Sequence, residues 1–104
     1  GARYIHVLVP CPLGWGHGSA ETIKMARLAM ETALIPVFDA EHGTVKNVSK
    51  IRRQLPVEDY LKPQSRFAHL FKPPGHSDLV ARIQALADRN VQRFGLVGDA
   101  EDAP

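Results

Sequence analysis

The sequence holds a single cysteine in 104 residues. One thiol cannot close an internal disulfide, which excludes the stapled secreted folds. Long apolar runs are missing as well. Nothing approaches the roughly 18 consecutive apolar residues of a membrane-crossing helix, so no membrane segment is expected. No basic-then-apolar leader opens the chain, which sets the expectation of no secretory signal and a cytoplasmic location. Charge of one sign is lacking too. The 13 Lys+Arg stand against 11 Asp+Glu, a net charge of +2. That is too small and too mixed to specify nucleic acid. An initiating Met is also absent: Gly1-Ala2 fits a processed product, a tag remnant or a piece of something longer.

What is present is ordinary for a globular chain. It is 44% hydrophobic and 23% charged, which argues against wholesale disorder and suits one domain with one modest core. The expected boundaries are residues 1–97 for the domain and 98–104 for a flexible acidic tail.

Residues 4–9 (YIHVLV) are apolar and β-branched almost throughout and stop at Pro10. That pattern predicts a strand buried on both faces. Residues 10–18 (PCPLGWGHG) carry three Gly and two Pro, which predicts a loop. Ser19 is then placed to cap a helix over 20–33, with Glu21 in its first turn and Pro36 beyond its end. Ile23, Ala26, Met30, Ala33 and Leu34 form its expected apolar face. Residues 35–40 and 44–49 read as a hairpin around Glu41-His42-Gly43. Residues 50–55 read as a basic, exposed link. Pro56 opens a short helix to Lys62, and Phe67, Leu70 and Phe71 form an apolar anchor before the Pro73-Pro74-Gly75 breaker. Ser77 is placed to cap a last helix. Leu79, Ile83, Leu86, Asn90 and Phe94 make its face, widened by Val80, Ala87 and Val91, and Gly95 sits at its C-cap. Together these elements predict an α/β fold: a small, partly parallel sheet with a strand–Cys loop–helix unit, a following hairpin and a C-terminal helix.

Cys11 sits where such folds gather ligands, at the carboxyl end of a strand and before a helix N-terminus. Four readings compete for it. The plainest is a buried structural cysteine. A phosphatase-type nucleophile is disfavoured, because Pro12 removes a backbone N–H and position 17 is His rather than Arg. A phosphate or dinucleotide loop lacks both the Gly-Lys-Ser/Thr ending and the full GxGxxG spacing. A cluster ligand works only when the other thiolates come from another segment, since an iron–sulfur cluster takes four. The histidines offer no zinc site. His6 lies in the strand, His17 in the loop, and His42, His69 and His76 are scattered without HxxxH spacing.

Pro10-Cys11-Pro12-Leu13-Gly14-Trp15-Gly16 is the least generic stretch. With its flanking strand and helix it resembles the C-terminal part of the thiamine-diphosphate-binding (β) subunit of the pyruvate and 2-oxoacid:ferredoxin oxidoreductases. Ile35-Pro36-Val37-Phe38-Asp39-Ala40-Glu41, the stretch from Val57 to Phe67 and the final helix continue the likeness in order. The resemblance implies that Cys11 is the fourth ligand of a [4Fe-4S] cluster, with Pro10, Gly14 and Trp15 as the loop around it. It implies thiamine diphosphate and Mg²⁺ held by earlier parts of the subunit. The other three cysteines and the Gly-Asp-Gly…Asn-type motif are absent from these residues. It further implies a CoA-linked oxidative decarboxylation of a 2-oxoacid that reduces ferredoxin. The partners would be the remainder of the β subunit and the other subunits. The isolated chain would then be inactive and hold no cofactor. Trp15 would either shield the cluster from water or pack the loop onto the following helix. Arg66 reads as a structural tether, or else pairs with an acidic group or a partner subunit. The alternative from another class is a non-catalytic structural or interaction domain derived from the same fold.

Overall fold

The computed structural model describes residues 1–98. The expected acidic tail lies, from residue 99 onward, outside the described residues. Where the sequence predicts a first buried strand, residues 4–9 are unpaired and exposed. Tyr4 and Ile5 are both 86% accessible, and Val7 and Val9 remain open as well. Tyr4 and Leu8 alternate with Ile5, Val7 and Val9, so the segment shows apolar side chains on both faces. A run of this kind is stable only inside a sheet covered on both sides. The described residues supply no strand beside it, and the expected partly parallel sheet is therefore not formed.

Residues 12–16 wind one wide turn (Pro12–Gly16), followed by a 3₁₀ turn, Ser19–Glu21, that leads into helix α1 (Thr22–Glu31). Ser19 does not cap with its side chain; the Thr22 hydroxyl instead donates to the Ser19 carbonyl at 2.9 Å. The buried face of α1 is Met25, Leu28 and Ala29, continued by Thr32 and Ala33. Of the expected face, Ala33 is buried and Met30 and Leu34 pack against the core, whereas Ile23 and Ala26 do not. Ile23 is 75% accessible and Ala26 is exposed, so α1 carries apolar residues on two sides and the core covers only one. The helix ends before Pro36 is reached. Ala33 adopts φ 67°, and Asn90 donates to its carbonyl at 2.8 Å, tying this turn to the C-terminal helix.

The hairpin forms as expected: β1 (Phe38–Glu41) pairs antiparallel with β2 (Thr44–Val48), with a bulge between Asp39 and Ala40. His42 and Gly43 both take positive φ, 52° and 78°, the requirement of a two-residue turn whose twist matches the strands. The hairpin is largely exposed and is held to the rest by Phe38 stacked on Phe94, ring centroids 4.9 Å apart. Beyond it, the link at 50–55 is not wholly exposed. Ile51 is buried and makes a single parallel bridge to Val97.

Helix α2 (Glu58–Leu61) buries Tyr60 and Leu61, and a 3₁₀ segment, Ser65–Leu70, follows it. Helix α3 (Ser77–Phe94) closes the described chain, with His76 at its N-cap position rather than Ser77. Gly95 ends it in the left-handed conformation, as expected. Its inner face is Ala87 with the half-buried Leu79, Val80, Ile83, Val91 and Phe94; Leu86 is exposed instead. The core is thus a small cluster between α1, α2, the 3₁₀ segment and α3. No helix among the described residues is long and apolar enough to cross a membrane.

An apolar segment exposed on two faces is a template for pairing with another chain. The isolated chain is expected to self-associate, and the double variant Ile5→Lys with Val7→Lys is expected to run nearer the monomer position in size-exclusion chromatography. An elution position identical to that of the parent chain would remove this segment as the contact.

Candidate functional site

Cys11 adopts an extended backbone (φ −119°, ψ 109°) immediately before the wide turn. Its carbonyl accepts the Trp15 N–H at 2.8 Å, and the Pro12 carbonyl accepts the His17 N–H at 3.2 Å. The ring of Pro12 suits the first position of such a turn, where no N–H is needed. Gly14 donates its backbone N–H to the Cys11 sulfur at 3.4 Å. The thiol itself is exposed. It therefore differs from the buried structural cysteine of the plainest reading: the side chain is presented outward, with one backbone donor already on the sulfur.

The other flagged residues divide between support and surface. Pro10 is buried. Gly14 is exposed and acts through its N–H. Trp15 is half-buried and packs against the core cluster. Its ring meets Tyr60 edge-on, with centroids 6.2 Å apart, and lies beneath the Arg66 guanidinium at 4.1 Å. Gly16 takes φ +75°, and a Cβ there would fall 2.9 Å from the Cβ of Ser65 and closer still to its hydroxyl. The loop and the 3₁₀ segment therefore touch almost backbone to backbone, which only glycine permits.

His17 is buried at 8% accessibility, deeper than its place in a Gly-rich loop suggests. Its Nδ1 lies 2.8 Å from the Gly18 carbonyl, a contact that places a proton on Nδ1. Its Nε2 atom is buried and has no partner among the described residues. His6, His42, His69 and His76 do not gather around it, and no group of three or more His, Cys, Asp or Glu able to hold a metal ion occurs among the described residues.

Gln64 is legible in the sequence only as part of a motif, and the structure gives it a central place. It is wholly buried. Its Nε2 donates to the Tyr60 carbonyl at 2.6 Å, and its Oε1 accepts from Arg66 Nε at 2.7 Å. Arg66 Nη2 also donates to the Tyr60 hydroxyl at 3.2 Å. The guanidinium lies over both Trp15 and Phe67, 4.1 and 4.6 Å from the ring centroids. Arg66 forms no salt bridge among the described residues.

No protein-family model matches the chain. It is 44% identical over 96 residues to pyruvate synthase subunit PorB of Methanosarcina barkeri, covering 92% of this chain and 32% of that protein. The chain belongs to the β-subunit family of the pyruvate and 2-oxoacid:ferredoxin oxidoreductases. PorB of Methanocaldococcus jannaschii is 36% identical over 96 residues, 92% of this chain and 30% of that protein. Ketoisovalerate oxidoreductase subunit VorB of Pyrococcus abyssi is 39% identical over 74 residues, 69% of this chain and 24% of that protein. The chain thus spans about a third or less of the length of the curated relatives it matches. The unpaired segment at 4–9 and the uncovered side of α1 accord with that proportion.

Burial makes Gln64 costly to replace. In Gln64→Leu the Arg66 Nε loses its acceptor and the Tyr60 carbonyl its donor, with an expected loss of about 1–3 kcal/mol in urea unfolding. A loss under a few tenths would show that solvent replaces both partners.

Proposed function

We propose that the chain works as part of a 2-oxoacid:ferredoxin oxidoreductase, with Cys11 supplying one of four thiolates to a [4Fe-4S] cluster. The observation that carries this reading is an exposed thiol, already accepting a backbone N–H, in a chain 44% identical across 92% of its length to a pyruvate synthase subunit. The residues present fit that group as a single ligand. Cys11 is the only cysteine, and among the described residues no three metal-binding groups cluster. The remaining thiolates, Mg²⁺ and the diphosphate contacts belong to the rest of the subunit in this reading.

When bound, thiamine diphosphate supplies the carbanion chemistry of decarboxylation and the cluster takes up the electrons. The contribution of this chain is positional. Pro10 and Pro12 stiffen the backbone on either side of Cys11. Gly14 holds an N–H against the sulfur, the kind of contact that tunes a ligated thiolate. Trp15 anchors the loop rather than facing solvent.

The second contribution is contact. Residues 4–9, Leu13 at 97% accessibility and Ile23 at 75% present apolar side chains outward. In the assembled enzyme these meet the rest of the β subunit and its neighbouring subunits. The reaction releases CO₂ from a 2-oxoacid, transfers the remaining acyl group to CoA and passes two electrons to ferredoxin, in the cytoplasm. The relatives include both a pyruvate and a ketoisovalerate enzyme, so the substrate is defined as a class, the 2-oxoacids. In this reading the groups that select one acid lie mostly outside this chain.

Two outcomes test the reading. Cys11→Ser in the assembled enzyme is expected to cost most of the cluster's iron and to lower ferredoxin reduction at least tenfold; full iron and unchanged reduction would contradict the ligand assignment. The isolated 104-residue chain, reconstituted with iron and sulfide, is expected to hold neither cluster nor thiamine diphosphate. Stoichiometric brown absorbance from the pure chain would show that it completes a site alone.

A further inference from the structure

Among the described residues the Cys11 loop is hydrogen-bonded only to itself. Trp15 to Cys11, His17 to Pro12 and Gly14 to the sulfur are all internal bonds. Among the described residues no hydrogen bond ties residues 11–17 to another element. The loop is docked by side chains, and on the 3₁₀ segment its contacts include Gly16 against Ser65 and Trp15 against Arg66. Of these, only the Arg66 contact is itself fixed by directional bonds. Its Nε and Nη2 point to Gln64 Oε1 and the Tyr60 hydroxyl, and Gln64 is wholly buried.

We propose that Arg66 is the positioning residue of the Cys11 loop: it transmits the rigid placement of buried Gln64, through the stacked Trp15 ring, to the backbone that carries the thiol. This rests on the reading of Cys11 as a ligand for its functional consequence, and on the contacts alone for its structural one. The chain of contacts is short. Gln64 fixes the plane of the guanidinium, and the plane fixes the Trp15 ring. The Trp15 N–H holds the Cys11 carbonyl at 2.8 Å. The task needs arginine in particular. A guanidinium stacks on an aromatic face while donating in its own plane, whereas an ammonium offers the same charge without the plane. An exposed cation with no acidic partner among the described residues, yet lying over two rings, is placed for stacking rather than for pairing.

The test uses the assembled oxidoreductase carrying Arg66→Lys, Arg66→Gln or Cys11→Ser. Amide hydrogen exchange is followed over residues 11–17, with α3 as the internal reference, alongside the electron paramagnetic resonance spectrum and midpoint potential of the reduced cluster. Both Arg66 variants are expected to speed exchange of the loop roughly three- to tenfold while leaving α3 unchanged. Both are also expected to alter the cluster spectrum and shift its potential. An unchanged loop in both variants overturns the proposal. So does a loop disturbed by Arg66→Gln but unaffected by Arg66→Lys, since charge alone would then suffice. A rise in α3 equal to that of the loop in both variants also overturns it, because the effect would be global. A disturbed loop with an unaltered cluster, where Cys11→Ser does lose iron, overturns the functional consequence. If Cys11→Ser keeps its full cluster, the ligand reading fails, and loop exchange alone decides for or against Arg66 as the clamp.

Discussion

The placement of one exposed thiol depends on a buried amide. Gln64 is enclosed between α2 and the 3₁₀ segment with both of its polar ends bonded. A buried amide with fixed partners has one favourable arrangement, because leaving either end unpaired costs free energy. Arg66 inherits that fixed geometry, Trp15 stacks on Arg66, and the Cys11 loop follows Trp15. Through these contacts a Gly- and Pro-rich loop without hydrogen bonds to its surroundings holds a defined shape.

The same chain leaves a large demand unmet. Segment 4–9 is apolar on both faces and exposed on both, and α1 buries only one of its two apolar sides. A sheet interior and a covering layer would satisfy both, and neither exists among the described residues. The relatives are about three times as long. On the proposed reading, the loop and the exposed segment at 4–9 lead to the same place. The strand enters the sheet of the larger subunit and carries Cys11 to its carboxyl end, where ligand sites of α/β sheets gather.

Local signals are legible wherever the partners are local. The hairpin follows from His42-Gly43, whose positive φ angles make a tight turn between apolar runs. Helix α3 follows from its spacing and from Gly95. Cys11 and Trp15 stand out because Pro and Gly surround them. What is not legible depends on contacts between distant residues or on residues outside this chain. The strand pattern at 4–9 is real, but pairing requires neighbours that the described residues do not contain. The buried side of α1 overlaps the expected one at Met30, Ala33 and Leu34 but not at Ile23 and Ala26, because apolar residues lie on both sides and periodicity alone cannot choose between them. Gln64 and His17 look like surface residues by type, and only the fold around them shows their burial. Ser19 and Ser77 carry good capping side chains, yet the turns before them start the helices from different positions.

The most direct measurement is an electron-density or cryo-microscopy map of the assembled oxidoreductase at a resolution that separates metal–sulfur bonds. The expected result is Cys11 Sγ bonded to iron, with three further cysteines of the same subunit completing the cluster. Density in which the cluster has four other protein ligands, and Cys11 stands apart from iron, would contradict it.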